Sequence, residues 1–446
     1  NQMLFIYLSY GIFENPRNES ETFYDNCFIL PHSHYLKLSV TGISLSIKKY
    51  YDIDFKNINH TITEEQAKEK FRELFYTSVS RRLRSDATVG SSLSGGLDSS
   101  LVVCVIDELR KGTIQKQDTF SAVFPGFAKD ERKYIDHVIA KSNVSSHFIT
   151  PDDDGMIQEF EKLFWHQEEP FGSASIYVQY CVMRLAKQNN VTVLLDGQGA
   201  DEYLAGYHFY YRQFFNDLKR NYPTRYNAQY QQYINLHKDN SVNPRIKKDL
   251  KYFIRSRMPN IIKPVKNFIG YYKQKSSPFF SDEFYEANYR NNFAPDYYFK
   301  DLNGALHESI LKNGLQTLLR YADRNSMAHS REVRLPFLFH ELVEFVFSLP
   351  PYFKINDGWT KWIMRAAFKD VLPRQIAFRK DKIGYEPPQK NWLENKNVKE
   401  KIHESKRKLF DHNVISKKEY ENDTVSGNSS GVRNKSWDLW MGGELF

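Results

Sequence analysis

The chain has 446 residues, of which 41% are hydrophobic and 26% are charged, so it is long enough for two or three domains with sizeable cores. We find no uninterrupted apolar run that could span a bilayer and no signal-peptide pattern at the start. A membrane protein is therefore not the favoured class. The formal net charge of +8 is compatible with nucleic-acid binding, but a basic surface suited to nucleotide and phosphate is the favoured interpretation.

Cysteine usage argues against a disulfide scaffold and against a zinc site. Cys27, Cys104 and Cys181 are widely separated and form no CxxC motif or Cys/His cluster. A reducing, cytoplasmic location is therefore expected. The chain opens with Asn1 and not with methionine, which is compatible with a piece of a longer protein.

The first part of the chain, residues 1–54, is predicted to contain short strands and turns. Alternating apolar and polar residues from 35 to 40, followed by Thr41 and Gly42, are typical of one arm of a β-hairpin. The pattern changes near residue 64. Thr63 is a candidate N-cap, and apolar residues at helical spacing over 67–79 predict a helix.

Strand-like and helix-like runs then alternate. Strands are predicted at 87–93, 119–124, 147–150 and 191–195, and helices at 99–110, 131–141, 156–167 and 174–188. This order predicts an α/β fold with a doubly wound parallel sheet that helices cover on both faces. In such sheets ligands bind outside the carboxyl ends of the strands, where the loops at 94–98 and 196–201 would meet.

Beyond residue 207 the pattern is less regular. Residues 208–300 are rich in Tyr, Phe, Lys, Arg and Asn, and we expect a helical insertion over the site; binding of nucleic acid by these residues is the weaker alternative. Further helices are predicted within 303–330, 342–347 and 361–368. Residues 396–446 are predicted to be a polar, irregular tail.

The most informative stretch is SLSGGLDSS at residues 92–100. A strand that enters a Gly/Ser loop and leaves as a helix presents backbone N–H groups and the positive end of the helix dipole to an anion. The loop is not a Walker A motif, because no Gly-Lys-Ser/Thr follows the glycines. The run SGGLDSS resembles the pyrophosphate-binding loop of the PP-loop ATP pyrophosphatases, which cleave ATP between its α- and β-phosphates.

A second stretch, LLDGQGADEYLAGY at residues 194–207, again ends a strand in a glycine turn and opens a helix with acids. A carboxylate here, opposite Asp98, would suit Mg²⁺ shared with phosphate oxygens. Taken alone, the two acids could also be an ordinary acidic helix N-terminus.

Together with RYADRNSMAHSREVRLPFL (320–338) and RKDKIGY (379–385), these motifs resemble the synthetase domain of the asparagine synthetase family over about 64–395. The resemblance implies a PP-loop fold, ATP with Mg²⁺, aspartate as substrate and ammonia taken from glutamine. Residues 1–54 resemble the end of the N-terminal-nucleophile glutaminase domain that precedes the synthetase domain in this family. The implied partners are these small molecules, without nucleic acid or membrane; a homodimer is compatible with the sequence.

The resemblance also assigns residues. It implies Asp98 and Asp201 as metal ligands, and Gly197 near the ribose or adenylate. It implies Lys361 and Lys382 as cations that face phosphates, with Lys382 stabilising the transition states. Arg324 and Arg334 fall in the substrate-side motif, with a structural ion pair as the alternative for both. The pyrophosphate cradle is implied for Ser94, Gly95, Gly96, Ser99 and Ser100.

Two features depart from the family pattern. The glutaminase needs an N-terminal cysteine as nucleophile, so we expect that the chain as given does not hydrolyse glutamine: either a catalytic part lies upstream or free ammonia is used. Gln198 stands where many members carry an acid suspected of helping the amide-forming step, which leaves the amine-side chemistry and the product open.

Alternative functions are amidation of a sugar acid or peptide, or ring closure as in β-lactam synthetase and lasso-peptide cyclases. A PP-loop tRNA-modifying enzyme and a nucleotide-retaining binding module are weaker alternatives.

Overall fold

The computed structural model describes residues 2–15, 17–42, 44–112, 116–238, 278–289, 301–312, 314–380, 386–422, 424 and 433–446. The strands are β1 (His34–Ser39), β2 (Ser44–Lys49), β3 (Val89–Ser92), β4 (Gln117–Ala122), β5 (Val144–Ile149), β6 (Val193–Leu195), β7 (Glu332–Arg334), β8 (Ile355–Asn356) and β9 (Trp359–Thr360).

Helices account for most of the remaining described chain, with short 3₁₀ turns at Pro336–Leu338 and Pro351–Phe353. The helices are α1 (Gln2–Tyr10), α2 (Glu64–Arg82), α3 (Leu97–Leu109), α4 (Arg132–Ile139), α5 (Asp153–Gln167), α6 (Ser175–Gln188), α7 (Ala200–Tyr203), α8 (Tyr210–Asn221), α9 (Pro223–His237), α10 (Asp282–Asn288), α11 (Leu302–Leu311), α12 (Leu315–Ala328), α13 (His340–Ser348), α14 (Trp362–Ala367), α15 (Arg374–Ala377), α16 (Gln389–Trp392), α17 (Lys396–Asp411), α18 (Lys417–Tyr420) and α19 (Lys435–Gly443).

The centre of the fold is a five-stranded parallel sheet in the order β5-β4-β3-β6-β7. The chain builds outwards from β3 to β5 and then returns to the other side of β3 with β6. The boundary between β3 and β6 is therefore the point at which the strand order reverses, which is where open parallel sheets bind ligands. The prediction of a doubly wound α/β fold is confirmed.

Each face of the sheet carries its own hydrophobic core. Val193 and Leu195 join a core built with α2, α3 and α13, whereas Leu194 and Phe120 join one built with α5, α6, α17 and α19. Alternate residues of a strand point to opposite faces, so the continuous apolar run of β6 is what a doubly covered strand requires. In the described ranges no helix is both long and apolar enough to cross a membrane.

The predicted start of α2 is confirmed in detail. The Thr63 hydroxyl accepts a hydrogen bond from the backbone N–H of Gln66 at 3.2 Å, and the Gln66 side chain accepts one from the backbone N–H of Thr63 at 3.0 Å. This reciprocal pair satisfies two N–H groups that a helix start would otherwise leave open.

The hairpin predicted near residues 35–42 is present as β1 and β2, but the expectation of only strands and turns before residue 54 is wrong for α1. That helix is buried over Met3–Leu8, and Arg433 donates to the carbonyl oxygens of Leu8 and Ser9 at its end, each at 2.7 Å. Apolar residues surround α1 on all sides, so it shows no amphipathic period in the sequence.

The expected irregular tail over 396–446 is also wrong where the structure describes it. There the chain forms α17, α18 and α19, and α19 buries Trp437 and Trp440 completely. Trp437 donates from Nε1 to the carbonyl oxygen of Phe171 at 2.7 Å, and Trp440 stacks on Phe160 with ring centroids 4.2 Å apart. These two tryptophans supply the buried apolar area of α19, although the sequence around them is mostly polar.

Within 208–300, the described parts contain helices α8, α9 and α10. Helices α8 and α9 pack on each other and against the β8–β9 hairpin, and the latter contact bears on the site described below. Residues 239–277 and 290–300 lie outside the described residues.

We expect replacement of Trp437 by alanine to lower the free energy of unfolding by about 3–5 kcal/mol, because it removes a fully buried ring and its hydrogen bond. Chemical denaturation followed by circular dichroism measures the change. Trp165→Ala is the matched control, since that ring is 78% exposed. An equal effect of both substitutions would contradict the packing role of α19.

Candidate active site

A cleft of about 560 Å³ opens where β3 and β6 end. Its lining includes Ser94 and Gly96 from the loop after β3, and Asp98 and Ser99 from the first turn of α3. Gly197 and Gln198 come from the loop after β6 and Asp201 from α7, which follows that loop. Lys361 comes from the start of α14. Loops that follow neighbouring parallel strands meet at one edge of the sheet, so the topology brings together motifs about 100 and 260 residues apart in sequence.

The Gly/Ser loop folds back on the start of α3. The backbone N–H of Ser94 donates to Oγ of Ser99 at 3.2 Å, and the backbone N–H of Gly96 donates to Oγ of Ser94 at 3.3 Å. Gly96 is the N-cap of α3 and brings no side-chain acceptor, so the helix start faces the cleft without an internal cap. This is the arrangement expected for an anion site.

Two members of the predicted cradle do not line the cleft. Gly95 has a φ of +74° and packs behind the loop, where an added Cβ would lie 2.9 Å from Cβ of Tyr134. Ser100 is fully buried inside the first turn of α3. The cleft is therefore lined by three of the five predicted cradle residues: Ser94, Gly96 and Ser99.

The turn after β6 approaches the start of α3 closely. A Cβ on Gly197 would lie 2.6 Å from the backbone nitrogen of Ser99 and 2.9 Å from the carbonyl carbon of Asp98. No side chain fits in that space without movement of the backbone. Glycine at this position lets the second motif touch the first.

Asp98, Asp201 and Lys361 form one charged cluster. Nζ of Lys361 lies 2.5 Å from Oδ2 of Asp98 and 2.7 Å from Oδ1 of Asp201, and its side chain is 5% exposed. Burial alone would lower the pKa of Lys361, but the attraction of Asp201 and Asp98 outweighs it and raises the pKa. The ammonium therefore stays charged between the two carboxylates.

The β8–β9 hairpin presents Lys361 to the cleft. Tyr211 donates to the carbonyl oxygen of Gly358 in the hairpin turn at 2.6 Å, and the backbone N–H of Asp357 donates to Oε1 of Gln229 at 2.8 Å. Lys361 itself has a φ of +53°, a backbone conformation that costs energy for a side chain with a Cβ. Helices α8 and α9 thus hold the turn that fixes this strained residue.

Gly206 closes the cluster from the other side. A Cβ at this position would overlap Oδ1 of Asp201 and Cε of Lys361. The glycine that ends the second motif is required by the charged cluster and not by a turn, since its φ is not positive.

The two carboxylates fit Mg²⁺ as a bound ion. Within the described residues no group of three or more His, Cys, Asp and Glu side chains forms a cluster that could hold a metal by itself. Mg²⁺ normally takes one or two carboxylates and completes its shell with phosphate oxygens and water. Asp98 and Asp201 face the same cleft as the Gly/Ser loop, so their chemistry and placement meet that requirement.

Asp196 lines the cleft but was not among the predicted site residues. Burial raises its pKa to about 6, against hydrogen bonds from the Gly197 backbone and the Ser92 side chain; the charge of Asp98 adds to the rise. Gln198, the predicted departure from the family pattern, lines the same wall. The second motif therefore places two acids, Asp196 and Asp201, and the amide of Gln198 beside the cleft.

Two further arginines of the cleft wall were missed. Arg365 lies one helical turn after Lys361 and donates to the carbonyl oxygens of Thr360 and Ala377; burial lowers its pKa to about 10. Arg379 begins the last of the four motifs and is 7% exposed. Spacing from Lys361 could have indicated the first, whereas nothing in the sequence shows that Arg379 turns back to the Gly/Ser loop.

The structure does not bring Arg324 and Arg334 to the cleft. Arg324 pairs with Glu168 at 3.0 Å, and Arg334 pairs with Glu332 at 2.6 Å on the last strand of the sheet. Both side chains form ion pairs of the kind that the structural alternative expects, and neither is among the residues that line the cleft, so a role of either in substrate binding stays a prediction. Lys382 lies outside the described residues, so its predicted role stays a prediction.

Comparison with known proteins agrees with this architecture. The Asparagine synthase family model matches residues 70–442. Asparagine synthetase [glutamine-hydrolyzing] 1 of Bacillus subtilis is 27% identical over 406 residues, which cover 89% of this chain and 61% of that protein. Amidase chyE of Penicillium rubens is 25% identical over 421 residues, which cover 84% of this chain and 61% of the relative.

A putative asparagine synthetase of Methanocaldococcus jannaschii is 34% identical over a shorter stretch of 177 residues, 40% of this chain and 34% of that protein. The chain thus spans about three fifths of the length of the longer-matching relatives. With the sheet, the Gly/Ser loop and the acidic turn in place, and with a family match over most of its length, the chain belongs to the asparagine synthase family.

Proposed function

We propose that the protein is an ATP-dependent amide-forming ligase that activates the side-chain carboxylate of aspartate and passes it to ammonia, giving asparagine. The observation that carries the proposal is the meeting of Asp98, Asp201 and Lys361 beside the Gly/Ser loop. A lysine and two carboxylates next to an anion-binding helix start suit a reaction that releases pyrophosphate.

The first step depends more on neutralising the negative charge of the phosphates than on proton transfer. Hydroxide is a poor leaving group, so the carboxylate must first attack the α-phosphorus of ATP, which gives β-aspartyl-AMP and pyrophosphate. The N–H groups at the start of α3 and the ammonium of Lys361 are placed to hold phosphate oxygens. Mg²⁺ held by Asp98 and Asp201 would neutralise further charge on the pyrophosphate. Positioning and electrostatics supply most of the catalysis in such reactions.

In the second step ammonia attacks the acyl carbon and AMP leaves. We propose that residues 1–54 correspond to the end of a glutaminase domain that supplies the ammonia. The β1–β2 hairpin supports this assignment, because one of its faces exposes four apolar side chains, each at least 45% accessible: Leu36, Leu38, Leu45 and Ile47. A sheet face of this kind normally packs on another layer.

A different carboxylate remains the second candidate. Gln198 replaces the acid that many family members carry, and the relative from Penicillium rubens is named an amidase, so proteins of this similarity carry more than one activity name. A sugar acid or a peptide would use the same adenylation step.

ATP–pyrophosphate exchange distinguishes the two candidates. We expect exchange with ATP, Mg²⁺ and aspartate, and asparagine formation after addition of ammonium. Glutamate and a reaction without acid are the controls. Exchange with none of these acids, in a protein that binds ATP, would transfer the proposal to another carboxylate.

Asp98→Asn and Asp201→Asn should each lower the exchange rate by about 100-fold or more, the loss typical when a group that stabilises transition-state charge is removed. Each variant leaves the other carboxylate paired with Lys361, so we expect the thermal unfolding midpoint to change little. Asp136→Asn is the control, because Asp136 pairs with Arg132 on the surface of α4. Exchange at the original rate in both site variants would remove the assignment of these acids.

Gly206→Ala should abolish most of the exchange activity, because the added Cβ must displace Asp201 or Lys361. The matched control is Gly42→Ala, since an added Cβ there meets no atom within 4 Å. Exchange rates and unfolding midpoints of both variants would be measured together. An active, stable Gly206→Ala protein would show that the charged cluster is not needed for the reaction.

A further inference from the structure

A buried arginine, Arg379, packs against the Gly/Ser loop and is also among the residues that line the cleft. Arg379 is 7% exposed and donates from Nη1 to the carbonyl oxygen of Gly95 at 3.1 Å and to Oε1 of Glu131 at 2.7 Å. Its guanidinium carbon lies 3.7 Å from the centroid of the Tyr134 ring. Contacts with the Gly/Ser loop and with the start of α4 thus hold this cation in place.

These contacts affect the orientation of the peptide group between Gly95 and Gly96. In a trans peptide the C=O and N–H point in opposite directions. Because the carbonyl of Gly95 points to Arg379, the N–H of Gly96 points to the other side, where Oγ of Ser94 accepts it at 3.3 Å and where the cleft lies. If this peptide turned over, a carbonyl oxygen would face the phosphates in place of an N–H.

Gly95 by itself does not prevent that rotation. Rotation of this peptide changes ψ of Gly95 and φ of Gly96, and because both residues are glycines these angles change at low cost. Helix α4 limits the space, since an added Cβ would lie 3.0 Å from the backbone nitrogen of Ile135, but packing against one side does not orient a carbonyl. A charged donor held at a fixed place does, because a hydrogen bond to an ionised group is stronger than one between neutral groups.

We propose that Arg379 is a positioning residue that holds the Gly95–Gly96 peptide with its N–H towards the phosphates, and that Glu131 and Tyr134 serve to aim its guanidinium. The inference rests on the proposed function, since it assumes that the cleft binds ATP and pyrophosphate. In this proposal Arg379 acts by holding the loop and not by contact with the phosphates. Its planar guanidinium also lies over the Tyr134 ring, an arrangement that the ammonium of a lysine does not reproduce.

Calorimetric titration with Mg-pyrophosphate and with MgATP tests the proposal. Arg379→Met should weaken both affinities by about ten- to a hundredfold, as expected for the loss of one hydrogen bond from a charged donor. In the exchange assay, KM for ATP should rise while KM for the acid substrate stays unchanged. A loss of packing alone would change both constants and would contradict the proposal.

Two further variants keep the test decisive if the methionine variant does not fold. Arg379→Lys keeps the charge and should remain weak; affinity within about threefold of the original would show that the charge alone suffices and would overturn the proposal. Glu131→Gln leaves Arg379 an acceptor and should bind nearly normally. An affinity as low as that of the methionine variant would assign the effect to the ion pair instead.

Arg331→Met is the matched control. Arg331 also donates to two backbone carbonyl oxygens, those of His329 and Val191, but it lies at the amino end of the sheet. The affinity of the Arg331→Met protein for pyrophosphate should equal that of the unaltered protein. If the unaltered protein binds neither pyrophosphate nor ATP, the proposed function fails and this inference with it; if that protein binds both and Arg379→Met binds equally well, the inference alone fails.

Discussion

The ammonium of Lys361 between Asp98 and Asp201 is the interaction on which the rest of the site depends. It joins the loops after β3 and β6 to a hairpin from the last third of the chain. Two carboxylates that contact the same ammonium would repel each other if that cation were absent, and a buried lysine without partners would tend to lose its proton. Each of the three charges is therefore stable in the cleft because of the other two.

Close backbone approach is the second constraint, and it explains why glycines recur in the motifs. Gly197 permits contact between the acidic turn and the start of α3, whereas Gly206 leaves room for the charged cluster. Neither needs a positive φ. The two residues are thus required by what lies opposite them in space, which is a different reason from the conformational one that applies to Gly95.

Much of the fold follows from local patterns, because alternating strand and helix runs in this order permit few topologies. The position of the cleft follows as well, since the strand order reverses beside the Gly/Ser loop. The sequence does not reveal helices that are buried although their apolar residues follow no amphipathic period. Helix α1 is apolar on all sides, so its pattern predicts strands and turns; α19 carries two buried tryptophans within a polar segment, so its pattern predicts an irregular tail. Their partners are far away in the chain, and no local rule identifies them.

Side-chain direction is the other limit, and the arginines illustrate it. Arg324 and Arg334 lie in a motif shared with the family, but Arg324 turns to the end of α5 and Arg334 to the edge of the sheet, where nearby acids and carbonyl groups satisfy them. Arg379 stands in another such motif and turns to the carbonyl of Gly95. All three carry the same charge, so composition and spacing cannot rank them. The difference lies in the acceptors that surround each guanidinium. A motif therefore predicts that a region contributes to the site, whereas the tertiary contacts decide which of its cations lies against the Gly/Ser loop.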